Sequence, residues 1–147
     1  ITAFLPLFKI GFIAQQHTIF ISAAAGSVGF YVYNSSTAGQ ICKHYGLTVI
    51  GSCGSDEKCA YLMDFYKPKS IGFDQAINYK KESIDDRLAE YAPEGIDVYF
   101  DKYSFFNSVG GETLDVLLHH MKMYGRIIAC GQIANYNTNV IHGSLYF

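Results

Sequence analysis

The run Thr18-Ile19-Phe20-Ile21-Ser22-Ala23-Ala24-Ala25-Gly26-Ser27-Val28-Gly29 constrains this chain more than any other part of it. β-Branched and aromatic residues give way at once to small ones, ending in the pattern Ala-x-Gly-x-x-Gly. Such a stretch reads as a buried strand entering a tight turn. Small residues let the backbone close up against a pyrophosphate, and the next helix would offer unpaired N–H groups and the positive end of its dipole. Small-residue turns that bind nothing also follow strands, so the meaning of this one rests on its surroundings.

Those surroundings repeat one alternation. After Gly29 a helical stretch runs to about His44, with Gly46 suited to stop it. Further apolar runs at 47–52, 76–79, 96–101 and 126–130 join the first, at 18–23, as expected strands. Between them, Cys59, Leu62 and Met63 mark one helical face, and Ile84, Leu88 and Tyr91 mark another. Ser83 with Asp86 three residues on resembles a capping box, and Leu114, Leu117, Leu118 and Met121 form an amphipathic stripe. Most of the strands are apolar throughout, as in a parallel sheet covered by helices on both faces. The expected fold class is therefore α/β, a doubly wound parallel sheet of Rossmann type. Its ligands would lie at the carboxyl ends of the strands.

Composition narrows the remaining classes. At 147 residues, half of them apolar, the chain suits one domain with a real core. A net charge of −2 leaves no basic footprint for nucleic acid. The stretch Ile1 to Ala14 is broken by Pro6, Lys9 and Gly11, is too short to span a bilayer, and lacks the marks of a signal peptide. Cys42, Cys53, Cys59 and Cys130 form no C-x-x-C pair and have no His at ligand spacing, so reduced thiols in a cytoplasmic protein are expected and a metal site is not. His119 and His120 read as solvated or packed helix positions. A start at Ile1 rather than Met raises the expectation of a longer parent.

The second strand bears on the choice of nucleotide. NAD sites place Asp or Glu at its tip to accept from the ribose 2′-hydroxyl. Here the tip is Gly51-Ser52-Cys53-Gly54-Ser55, and Asp56 and Glu57 fall in the first turn of a helix, where the dipole favours them. Small polar residues followed by Lys58 leave room for a 2′-phosphate and supply a cation. An ordinary surface lysine is the alternative reading of Lys58.

With Phe20–Gly29, Val49–Lys58, Ala76–Lys80 and Gly125–Ile133 through Tyr136-Asn137 taken in order, the chain resembles the medium-chain dehydrogenase/reductase superfamily. Within it, the similarity is to the zinc-independent, NADP-dependent alkenal double-bond reductases and prostaglandin reductases, over about residues 18–140. The resemblance implies that Gly26, Ser27, Val28 and Gly29 cradle the pyrophosphate of NADP(H), and that Lys58 and Tyr79 hold the 2′-phosphate. It implies that Asn107 and the loop carrying Cys130, Gly131, Ile133 and Tyr136 line the nicotinamide, with Tyr136 as the catalytic proton donor. The implied reaction is hydride delivery to the β-carbon of a small-molecule enone or enal, and the resemblance implies a homodimer for the parent enzyme. A related quinone oxidoreductase, or a non-catalytic nucleotide-binding fragment, are the alternatives.

The pattern also departs from the family. Residues 1–147 would be a partial Rossmann-type domain, with 1–17 preceding it, the β-rich N-terminal domain absent, and catalysis by this chain alone not expected. Extra residues stand at Phe30–Ser35, around Phe65–Ser70 and near Lys102–Phe106, either as genuine loops or as retained non-coding stretches read in frame. The first falls where the phosphate-binding helix should begin. Six residues of added helix would be about 9 Å and a turn of roughly 240°.

Overall fold

The computed structural model describes residues 3–25, 34–63, 72–101 and 112–129. Its elements are α1 (Phe4–Lys9), β1 (Thr18–Ile21), α2 (Asn34–His44), β2 (Thr48–Cys53), α3 (Asp56–Met63), β3 (Gln75–Asn78), α4 (Ile84–Tyr91), β4 (Ile96–Asp101), α5 (Glu112–His120) and β5 (Met121–Ala129). The five strands form one sheet in the order β3-β2-β1-β4-β5, and every pairing is parallel. This is the doubly wound arrangement expected from the apolar runs.

β1 lies at the centre, with Ile19 facing Val49 of β2 on one side and Val98 of β4 on the other. Successive side chains of a strand point to opposite faces, and here each face has its own core. Ile19 and Ile21 pack with Leu7, Ala38, Cys42, Leu62 and Phe73. Phe20 packs with Ile50, Ile77, Tyr99, Leu88 and Leu117. Thus α1, α2 and α3 cover one face, and α4 and α5 the other.

Local chemistry ends the helices where the sequence indicates. Ser83 accepts from the Asp86 backbone N–H at 3.3 Å and caps α4, a contact worth about 1 kcal/mol. Gly46 takes φ +77° just past α2, a left-handed stop open to glycine at little cost. Met121 departs from expectation. The amphipathic stripe places it on a helix, but α5 stops at His120 and Met121 opens β5, paired with Ile96. It still packs against the Phe20 core, so the apolar spacing marked burial correctly and the element wrongly. The ladder is irregular between Ile96 and Val98, and Tyr124 there has φ +65°.

Phe73 separates α2 from β2. A methyl group built on Gly39 would lie 2.0 Å from its ring, and one on Gly51 would lie 2.6 Å from the ring and 2.9 Å from Ala24 Cβ. Two glycines thus make room for one buried ring.

The cysteines require a correction. Four reduced thiols are expected from the spacing, yet Cys53 and Cys59 are joined in a disulfide. The turn from β2 into α3 brings their Cα atoms to 6.0 Å, within bridging range, although they stand six positions apart in sequence. Cys42 is a buried free thiol that burial pushes up to about 12. Cys130 lies outside the described residues.

Two stability predictions follow from this packing. Gly51→Ala should destabilise the chain by about 1–3 kcal/mol, because neither the packed ring nor Ala24 can give way freely; a urea midpoint within error of wild type would show that the ring moves aside. Opening the Cys53–Cys59 bridge should cost about 2 kcal/mol for so short a loop. Comparing urea unfolding with and without a reductant checks this, and identical curves would mean that the bridge adds nothing to stability.

Candidate functional site

The carboxyl edge of the sheet is built by β1, β2, β3 and β4. Ser22, Ala23, Ala24 and Ala25 follow β1 and are all buried. Ser22 N–H donates to Phe100 O of β4 at 3.1 Å. On the other side, Ala23 N–H donates to Ser52 Oγ at 3.1 Å and Ala24 N–H to Ser52 O at 2.7 Å. Ala23 takes φ +45°, a left-handed conformation that this pair of anchors over-determines. The approach to the glycine turn is therefore fixed from both sides.

β1 and β4 flank the point where strand order reverses, the usual ligand crevice of such sheets. Ser22 Oγ donates to Asp101 Oδ1 there at 2.8 Å. Burial pushes the Asp101 carboxyl above the ordinary carboxylate range, and the Ser22 hydroxyl partly offsets this. Tyr99 joins the group: burial and then the Asp101 charge raise its hydroxyl. Its Oη is enclosed and, among the described residues, meets no partner in hydrogen-bonding geometry. Sequence reasoning missed Ser52, Ser22 and Asp101 as a unit. The available signal was a polar residue at the end of each otherwise apolar strand.

A second corner forms where β2 enters α3 beside the end of β3. Cys53 stands opposite Asn78 in the ladder, and Tyr79 N–H donates to Cys53 O at 3.2 Å. A methyl group built on Gly54 would lie 2.9 Å from Tyr79 Oη, so glycine lets the phenol lie close over the turn. Ser55 opens α3, its hydroxyl accepting from the Lys58 backbone N–H at 3.4 Å and its carbonyl from Cys59 N–H at 3.0 Å. Lys58 stands on the first turn, half buried.

Asp56 has partners that the sequence did not reveal. Its carboxylate accepts from Asn78 Nδ2 at 2.5 Å and from the Lys81 ammonium. The Lys81 bond, with Asn78 second, holds it below the ordinary carboxylate range. The acid nearest the strand tip is therefore already charge-balanced.

Of the residues expected in the site, the structure brings Lys58 and Tyr79 to this one corner. Gly26, Ser27, Val28, Gly29, Asn107, Cys130, Gly131, Ile133 and Tyr136 lie outside the described residues. Most of Phe30–Ser35 does too, although α2 begins at Asn34, within it.

Comparisons with known proteins agree with this fold. The zinc-binding dehydrogenase family matches residues 35–145. NADP-dependent oxidoreductase RED1 of Cochliobolus heterostrophus is 45% identical over 137 residues, which are 93% of this chain and 34% of that protein. Prostaglandin reductase 1 of Bos taurus is 44% identical over 138 residues, 93% of this chain and 36% of that protein. The crystal structure of CurA in complex with NADPH from Vibrio vulnificus superposes with a TM-score of 0.74 at 34% identity, covering 97% of this chain and 37% of that one. The chain spans about a third of the length of the curated relatives it matches.

The family's description names zinc. Among the described residues no group of three or more His, Cys, Asp or Glu side chains is placed to hold a metal ion. Two of the cysteines bind each other instead. Identity above 40% across nine-tenths of the sequence, carried on this all-parallel sheet, puts the chain in the zinc-binding dehydrogenase family of the medium-chain dehydrogenase/reductase superfamily.

Proposed function

We propose that this chain is the nucleotide-binding part of an NADPH-dependent reductase acting on the carbon–carbon double bond of α,β-unsaturated aldehydes or ketones. The observation that carries the reading is the corner at Gly54, Lys58 and Tyr79. A cation stands on the first turn of α3 and a phenol lies over a glycine turn, while the neighbouring Asp56 is engaged by Asn78 and Lys81. A free carboxylate at that tip would favour a ribose 2′-hydroxyl and repel a 2′-phosphate. A balanced one does neither. The names of the NADP-dependent oxidoreductase and of the NADPH-bound structure support the same cofactor.

In this reading Lys58 and Tyr79 bind the 2′-phosphate, and the turn Gly26–Gly29 cradles the pyrophosphate. Asn107, Cys130, Gly131 and Ile133 orient the nicotinamide, which when bound supplies a hydride. Tyr136 holds the proton that reaches the α-carbon, a role that needs its hydroxyl within hydrogen-bond reach of the developing enolate. The substrate is a small enone or enal, neither nucleic acid nor membrane is a partner, and the parent enzyme works as a homodimer in the cytoplasm. Among the described residues no helix is long and apolar enough to cross a membrane.

A second reading has a specific observation behind it. The described part of α2 runs from Asn34, inside the added stretch Phe30–Ser35, and extra residues between the glycine turn and the family's helix sequence favour a chain that binds nothing.

Two experiments separate these. Lys58→Ala should weaken NADPH about tenfold, the scale of one hydrogen bond to a charged group, and leave NADH unchanged in fluorescence titrations. Equal losses for both would reduce Lys58 to a surface residue. Deleting residues 30–35 should tighten NADPH binding. Measurable binding with no change on deletion would mean that the insert loops out, whereas no binding in either form supports the inert chain.

A further inference from the structure

The Cys53–Cys59 bridge encloses Gly54, Ser55, Asp56, Glu57 and Lys58, which together make up the α3 side of the proposed phosphate corner. Cys53 is the last residue of β2 and is almost wholly buried, while Cys59 is partly exposed and directly follows Lys58. One sulfur is therefore anchored in the sheet and the other rides on the short helix that carries the cation.

The other anchors of α3 are non-covalent, and at its start Asp56 accepts from Asn78 Nδ2 at the end of β3 and from the exposed Lys81 ammonium. Leu62 enters the core, Phe73 N–H donates to Leu62 O at 2.9 Å, and Ser55 caps the first turn at 3.4 Å. Beyond the backbone link Gly54-Ser55, the bridge is the one covalent tie between α3 and the sheet among the described residues. The opened form is also provided for. Cys53 Sγ lies 3.6 Å from Ser55 O and 3.7 Å from Ile77 O, two carbonyls able to accept from a thiol S–H. Reduction would then leave no orphaned polar group in the core, so the fold accommodates both states.

We propose that Cys53 and Cys59 form a reversible thiol–disulfide pair that sets the affinity of the Lys58 corner for the cofactor 2′-phosphate, with the disulfide as the tighter-binding state. This rests on the cofactor reading given above. The bridge fixes the turn before the phosphate arrives, so binding no longer has to order it. In a reducing compartment a disulfide of this kind is transient and redox-sensing rather than permanent.

The closing reaction takes a hydroperoxide as oxidant. The Cys59 thiolate attacks the distal peroxide oxygen, the O–O bond breaks, and the alcohol leaves with a proton, giving a sulfenic acid on Cys59. The Cys53 sulfur then attacks the Cys59 sulfur; the S–S bond forms, the S–O bond breaks, and water leaves with the thiol proton. Two thiols are oxidised, and one hydroperoxide is reduced to an alcohol and water. A low-molecular-weight thiol such as glutathione reverses it through a mixed disulfide, two molecules becoming one glutathione disulfide. Cys42, buried with its thiol pushed up to about 12, stays outside this chemistry.

Linkage supplies the test, because a ligand that prefers the bridged form must stabilise the bridge by the same factor. The chain is equilibrated in glutathione buffers of graded oxidised-to-reduced ratio, alone, with saturating NADP+ and with saturating NAD+. Acid quenching, alkylation and intact mass then give the bridged fraction, and peptide mapping assigns it to Cys53–Cys59. NADP+ should shift the balance toward the bridge by roughly five- to tenfold, and NAD+ should not. Direct titration of the oxidised and reduced chains should show the same ratio in NADP+ affinity, and Cys59→Ser should bind like the reduced chain in either buffer. Equal NADP+ affinity in the two states overturns the clamp and leaves the cofactor reading standing. A bridge that excess reduced glutathione cannot open overturns its reversibility. No NADP+ binding in either state overturns clamp and cofactor reading together.

Discussion

The rest of the fold depends on the pairing of β1 with a neighbour on each side. Ile19, Phe20 and Ile21 are fully buried, and each stands opposite a residue of both β2 and β4. With period-two alternation, that register sends Ile19 and Ile21 to the face covered by α1, α2 and α3, and Phe20 to the face covered by α4 and α5. A slip of one residue would exchange the faces and set Phe20 against the space filled by Phe73. The same register delivers Ser22 to Asp101 and Ala23 to Ser52, so the position of the crevice is a consequence of core packing.

β4 ties the sheet together at both edges. At its amino end, Asp97 accepts from Thr18 N–H and from the Lys122 ammonium, each at 2.8 Å, linking β1, β4 and β5. Despite its burial, those partners hold the Asp97 carboxyl below the ordinary range. At its carboxyl end, Asp101 accepts from the neutral Ser22 hydroxyl, and burial moves it the other way. The paired acid braces the closed edge of the sheet. The acid paired with a hydroxyl stands at the carboxyl end of β4, beside the point where strand order reverses.

Much of this was legible in the sequence because it depends on local chemistry. Apolar runs ending in small residues gave the strands, Ser83 gave its cap and Gly46 its stop. Lys58 is expected from the strand tip and Tyr79 from family resemblance, and the ladder placing Cys53 opposite Asn78 shows how the two come to one corner. What stayed hidden needs a third dimension. The Cys53–Cys59 bridge follows from a turn that brings together residues six apart, and the partners of Asp56 come from the next strand. Met121 kept the spacing of α5 while the chain had already changed direction to pair with Ile96. Periodicity records which residues are buried more faithfully than it records the element that buries them.

Phe73 has a consequence for how this sequence can vary. Its ring occupies the space that side chains at Gly39 and Gly51 would need, so one aromatic residue and two glycines form a single steric solution shared by a helix, a strand and the segment between them. Neighbours that share one space do not contribute additively. Drift at these positions should therefore be correlated: relatives that carry a larger residue at either glycine should also carry a smaller one at the aromatic position. That makes these three sites one steric unit, although the first and the last stand 34 positions apart.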